Sequence, residues 1–151
     1  MEITVKTGDL LREPSDLAML ATFEDTPLPA EVAGLLETED FRGKAEEKLL
    51  LYPRGAVAPR RLLLVGLGKR EKASAEGIRR ASAAAVKQAR TLQVPAVTVG
   101  VHGDLPLELE VMGQAFAEGS YLGAYRFWRY RTKLTTEETF AVERATVFPM
   151  A

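Results

Sequence analysis

The residues best suited to chemistry fall in one run, Arg126-Phe127-Trp128-Arg129-Tyr130-Arg131-Thr132-Lys133, where aromatic rings are interleaved with cations. Bases stack on aromatic faces and cations contact phosphates, so Arg126, Trp128, Arg129, Arg131 and Lys133 have the parts of a nucleic-acid or partner surface. The run also closes a helical stripe, where cations complement the helix dipole and Phe127 and Tyr130 continue the apolar face. That structural role is favoured. Trp128, off the stripe, keeps the contact-surface reading open.

A second candidate is Val65-Gly66-Leu67-Gly68-Lys69, placed after a buried strand and before a helix, as a phosphate loop would be. The third glycine of a dinucleotide fingerprint would be Glu71, and the phosphate-loop pattern is broken at Gly68-Lys69-Arg70. A structural turn explains it better. His102, followed by Gly103 and Asp104, could be a base held by a carboxylate, but no nucleophile signature lies near it and a turn residue is the simpler account.

The chain has no cysteine and this one histidine, which excludes thiolate nucleophiles, cysteine zinc sites and paired-histidine metal motifs. Carboxylates at Glu37-Glu39-Asp40, Glu46-Glu47 and Glu137-Glu138 sit in polar surroundings and read as solvated faces. No catalytic, metal or cofactor site is expected in this chain. Asparagine is absent and arginine outnumbers lysine 13 to 7, a bias shared by heat-adapted proteins and GC-rich genomes. Charge is uneven: residues 1–50 carry 5 basic and 12 acidic groups, and residues 51–102 carry 10 and 2. These parts should attract one another once folded, so the basic middle alone does not argue for nucleic acid.

At 151 residues, with 46% apolar and 27% charged side chains, the chain should form one domain over 1–151 with one core. No apolar run approaches the roughly 18 residues of a membrane span, and the start lacks a secretory signal, so a soluble cytoplasmic protein is expected. Ile3 and Val5 alternate as a half-buried strand, and Leu17 to Phe23 reads as a central one. Pro29 opens a short helix with Val32, Leu35 and Leu36 that should end near Glu37 to Glu39. Leu49 to Tyr52 and Arg61 to Gly68 suggest a hairpin with a short turn.

Ser74 caps a helix whose apolar face is Ile78, Ala81, Ser82, Ala85, Val86, Ala89 and Leu92, with Arg79, Arg80, Lys87 and Arg90 opposite. Pro95 should stop it. Residues 96–101 form a strand, parallel to the 61–68 strand if the two are adjacent. A second long helix follows Pro106, with Met112, Ala115, Phe116, Gly119, Leu122, Gly123, Phe127 and Tyr130 on one stripe. Glycines 119 and 123 cost helix propensity and should permit a close approach. A last strand is expected over about 140–148.

The segment from Ala117 to Arg131, AEGSYLGAYRFWRYR, resembles the closing helix of the N-terminal domain of the leucyl (cytosol) aminopeptidase family. Phe41-Arg42-Gly43-Lys44 and Leu63 to Lys69 agree in order and spacing. The resemblance implies an α/β, macro-domain-like three-layer fold, a mixed β-sheet flanked by helices. It implies a non-catalytic domain of a metal-dependent aminopeptidase, which supports homo-hexamer assembly and active-site access beside its own catalytic domain. Two divalent metals, zinc or manganese, are expected only in that catalytic domain, whose N-T-D-A-E-G-R motif this asparagine-free chain cannot hold. The chain is thus expected to be an excised or naturally separate N-terminal domain. A free-standing nucleic-acid-binding domain, or a macro-type binder of ADP-ribose-like ligands, is the alternative.

Overall fold

The computed structural model describes residues 1–103, 107–124 and 141–148. Six strands form one mixed sheet: β1 (Glu2–Val5), β2 (Ala18–Thr22), β3 (Lys48–Leu51), β4 (Leu62–Gly66), β5 (Ala96–Val101) and β6 (Arg144–Phe148). Their spatial order is β1-β6-β5-β2-β4-β3, with only the β3–β4 pair antiparallel. All five residues of β2 are buried, as a strand covered on both faces requires. The expected central strand is therefore present.

One expectation about connections is corrected. Strands β4 and β5 are not adjacent, so the condition set on their pairing is not met; β2 lies between them and pairs in parallel with each. The β3–β4 pair is antiparallel as expected, but residues 52–61 join it instead of a short turn. That loop is pinned by Ala58 N–H donating to Leu11 O (2.9 Å) and Arg60 N–H to Ser15 O (2.8 Å), and it buries Val57.

One face of the sheet is covered by two long helices, α2 (Ala75–Leu92) and α3, described over Leu109–Ala124. Ser74 Oγ accepts from Gly77 N–H at 3.2 Å and caps α2. The helix ends at Gln93, in the left-handed region at φ 57°, two residues before Pro95 can act. Ile78, Ala81, Ala85, Val86 and Ala89 pack with Met19, Ala21, Val65, Val97 and Val99 of the strands. The opposite face carries short elements: a 3₁₀ turn at Leu10–Arg12, the single-turn α1 (Ala30–Ala33) and a 3₁₀ turn at Thr38–Asp40. Here Leu10, Leu11, Val32, Phe41 and Val57 cover Ala18, Leu20, Leu62 and Leu64. The helix expected to end near Glu37 to Glu39 stops at Ala33, its end tightened by the i→i−3 bond from Leu35 N–H to Val32 O.

Helices α2 and α3 meet without intervening side chains at the two glycines. A Cβ on Gly119 would collide with Arg79 O and lie 2.8 Å from Ser82 Cβ, and one on Gly123 would lie 2.6 Å from Ala83 O. Beside them Ser82 Oγ and Ser120 Oγ stand 2.8 Å apart, each 2.8 Å from Phe116 O. Two protons serve three contacts, and both buried hydroxyls are satisfied by that one carbonyl and each other. The face of α2 opposite the core is not wholly solvated: Arg79 bridges Glu118 (3.0 Å) and Glu76 (3.1 Å), and Arg90 donates to Gly123 O (3.3 Å). The hydrogen bonds to the two carboxylates raise the pKa of the Arg79 guanidinium.

One stripe residue and one strand residue depart from expectation. Leu122 is 62% exposed and Val5 is 62% exposed, since α3 turns Gly119 and Gly123 to α2 and Val5 lies at the end of an edge strand. Phe127, Tyr130 and the connection over 132–139 lie outside the described residues, and the last strand is shorter than expected, at Arg144–Phe148.

Gly119→Ala should destabilise the fold by roughly 1–3 kcal/mol despite its better helix propensity. Gly113, with no atom within 4 Å of an added Cβ, is the control. Gly113→Ala should stabilise by roughly 0.4–1 kcal/mol. Urea unfolding of both variants checks this, and equal effects would refute the close-contact argument.

Candidate functional site

The glycine segment after β4 is shaped by its neighbours in the chain. A Cβ on Gly66 would overlap Lys44 O and lie 2.6 Å from Gly43 C, so the 43–47 segment lies directly against the strand end. Gly43 and Gly68 have φ of +82° and +77°, conformations that exclude most side chains. Backbone bonds use up the loop's donors: Gly66 N–H to Glu47 O (2.7 Å), Leu67 N–H to Thr22 O (2.8 Å) and Gly68 N–H to Gly43 O (2.9 Å). A phosphate cradle needs these N–H groups free. The geometry supports the structural-turn reading.

Beside the loop a cleft of about 420 Å³ opens toward the first turn of α2, with Lys48, Lys69, Lys72 and Arg80 on its lining. Arg80 spans Glu46 (3.4 Å) and Glu76 (3.2 Å), joining the acidic first part of the chain to the basic middle as the charge distribution predicts. Lys48, distant from the loop in sequence, reaches this cleft through the β3–β4 pairing, which the spacing of residues could not show.

Open α/β sheets bind ligands at the carboxyl ends of their strands. Here the ends of β2 and β5 are occupied by the chain itself. Arg70 lies 5.5 Å from the Phe23 ring centroid, and its guanidinium abuts Gly103, where a Cβ would meet Nη2 at 3.0 Å. His102 Nε2 is 2.8 Å from Pro27 O, and His102 N–H donates to Ala21 O at 2.8 Å. His102 thus ties β5 to the 24–29 segment.

Among the described residues no three His, Cys, Asp or Glu side chains converge to hold a metal. No helix among them is long and apolar enough to cross a membrane. The candidate surface of Arg126, Trp128, Arg129, Arg131 and Lys133 lies outside the described residues, as does Asp104 beside His102. What is described is the helix leading to it, with Tyr121 half exposed and its hydroxyl donating to Met1 O at 3.2 Å.

Gly66→Ala should cost at least about 2 kcal/mol, because the overlap is with backbone and cannot be relieved by a rotamer change. Lys69→Ala, on an exposed side chain of the same loop, should stay within about 0.5 kcal/mol of the parent in the same urea titration. A Gly66→Ala variant of parental stability would contradict the packing described.

Comparison with known proteins gives a consistent answer. The profile of the cytosol aminopeptidase family, N-terminal domain, matches residues 10–134. A protein named "Probable cytosol aminopeptidase" from Roseiflexus castenholzii is 38% identical over 97% of this chain and 30% of its own length. Another of that name, from Aquifex aeolicus, is 38% identical over 68% of this chain and 20% of its own. The chain therefore spans about a third or less of these relatives. Among solved structures, a tomato leucine aminopeptidase mutant superposes with a TM-score of 0.77 at 20% identity, over 100% of this chain and 32% of that one. A bottromycin maturation enzyme in complex with Mn superposes with a TM-score of 0.65 at 20% identity, over 87% and 26%. The mixed sheet, the α2–α3 layer and the sequence match over residues 10–134 agree: the chain belongs to the cytosol aminopeptidase family, as its N-terminal domain.

Proposed function

We propose that this chain is a non-catalytic N-terminal domain of a metal-dependent leucyl aminopeptidase. In the intact enzyme it would support assembly of a homo-hexamer and control access to the active sites. The observation that carries this reading is coverage: 97% of the chain aligns with 30% of a relative named as a cytosol aminopeptidase. The hydrolysis of peptides from their N-termini then belongs to a catalytic domain outside this sequence. So do the two divalent ions, zinc or manganese, that would activate water and polarise the scissile carbonyl. The described residues offer no converging set of metal ligands, so no step of that chemistry is assigned to them. A cytoplasmic setting is proposed from the relatives' name, and a heat-adapted source from the absence of asparagine and cysteine.

The purified chain, incubated with a leucyl amide and added Zn²⁺ or Mn²⁺, should release no leucine above the uncatalysed background. Metal-dependent turnover that survives repurification would overturn the reading.

A further inference from the structure

The short elements on the second face of the sheet cover its middle and its carboxyl ends but leave the beginnings of β5 and β6 open. There a pocket of about 540 Å³ has Ala96, Thr98 and Thr146 in its floor. The 13–16 segment and the 58–60 loop also line it, and the two are joined by Arg60 N–H to Ser15 O at 2.8 Å. Thr98 and Thr146 are register partners on inner strands of the sheet, so their side chains lie side by side.

Two hydroxyls of this pocket lack a protein partner among the described residues. The hydroxyl of Thr98 makes no hydrogen bond among the described residues, although it is not sealed from solvent. Ser15 Oγ is buried and has none. A buried hydroxyl left unpaired is costly, so native structures normally complete such groups with water or a ligand. The charges are unspent as well. Lys6 and Glu13 neutralise each other at 2.6 Å, whereas Arg60, Arg144 and the Asp16 carboxylate have no ion-pair partner among the described residues.

These charges have opposite signs and a fixed spacing. Asp16 precedes β2 and Arg144 opens β6, and β2 and β6 are the two strands that flank β5, so the two charges stand on either side of it. Two strand spacings separate them, about 10 Å at the backbone. An extended dipeptide spans about 7 Å, which leaves the two side chains to close the rest. A simple anion would use the arginines and leave Asp16 repelling it. A zwitterion satisfies both ends.

We propose that this pocket binds a small zwitterion, an amino acid or short peptide, with its ammonium on Asp16, its carboxylate on Arg144 and Arg60, and its polar backbone on Thr98 and Ser15. The site lies at the amino ends of β5 and β6, away from Arg70 and His102, and it stands whether or not the proposed role in an aminopeptidase holds.

The test is an amide-shift NMR titration of the 151-residue chain with dialanine, N-acetyl-dialanine, dialanine amide, acetate and inorganic phosphate. Dialanine should shift Thr98, Arg144 and Thr146 saturably. Blocking either terminus, or making Asp16→Asn or Arg144→Gln, should weaken binding by at least about tenfold, the loss of one charge-assisted hydrogen bond. Thr98→Val removes the unpaired hydroxyl without a change of shape, so it should weaken binding while the fold is retained. No shift at millimolar dialanine, equal shifts with the blocked peptides, equal binding of acetate or phosphate, or full affinity in Thr98→Val would each overturn the proposal.

Discussion

Helix α3 touches α2 nearly backbone to backbone at Gly119 and Gly123, and the helical layer over one face of the sheet depends on that contact. Helix α2 reaches β5, β2 and β4 through Ile78, Val86 and three alanines, whose small side chains set it close to the strands. Phe116 and Ala115 of α3 then reach the same core as Ala145 and Val147 of β6 only because the glycines let α3 settle against α2. A larger residue at either position would lift α3 away from that core. The serine pair and the Arg79 bridge to Glu118 fix the helix in rotation and along its axis.

A comparable constraint operates at the other end of the sheet. Gly43, Gly66 and Gly68 let the 43–47 segment pass against the end of β4, and the backbone bonds made there consume the donors that a phosphate would need. The same glycines that suggest a nucleotide loop in the sequence therefore serve chain packing. Near the ends of β2 and β5, Arg70 packs on Phe23 and His102 Nε2 lies 2.8 Å from Pro27 O. The buried unpartnered polar atoms among the described residues, Ser15 Oγ and Arg61 Nε, lie instead just before β2 and β4, and Ser15 lines the pocket at the amino ends of β5 and β6.

Much of this architecture is legible in the sequence because it depends on local periodicity. The 3.6-residue repeat from Ile78 to Ala89, the Ser74 cap and the unbroken apolar runs of β2 and β4 give α2 and the inner strands directly. Other features are not local. Whether β4 lies beside β5 is decided by competition for β2, which satisfies a strand edge of each. Leu122 follows the stripe of Ala115 yet faces solvent, since at that end of α3 the contact with α2 is made by Gly123 instead. The polar pocket had no signal at all. Thr98 reads as an ordinary strand residue, and Ser15, Asp16, Arg60 and Arg144 are scattered along the chain.

The sequence by itself determined which segments are helix and strand, that cysteine and paired-histidine chemistry is excluded, and, through the Ala117 to Arg131 segment, the family. Those depend on residue type and near-neighbour spacing. Only the tertiary structure decided strand order, the packing of Arg70 on Phe23 and the placement of Asp16 and Arg144 on either side of β5. Each of these brings together segments far apart in the chain, set by which surfaces can be buried together and not by any pattern within one of them.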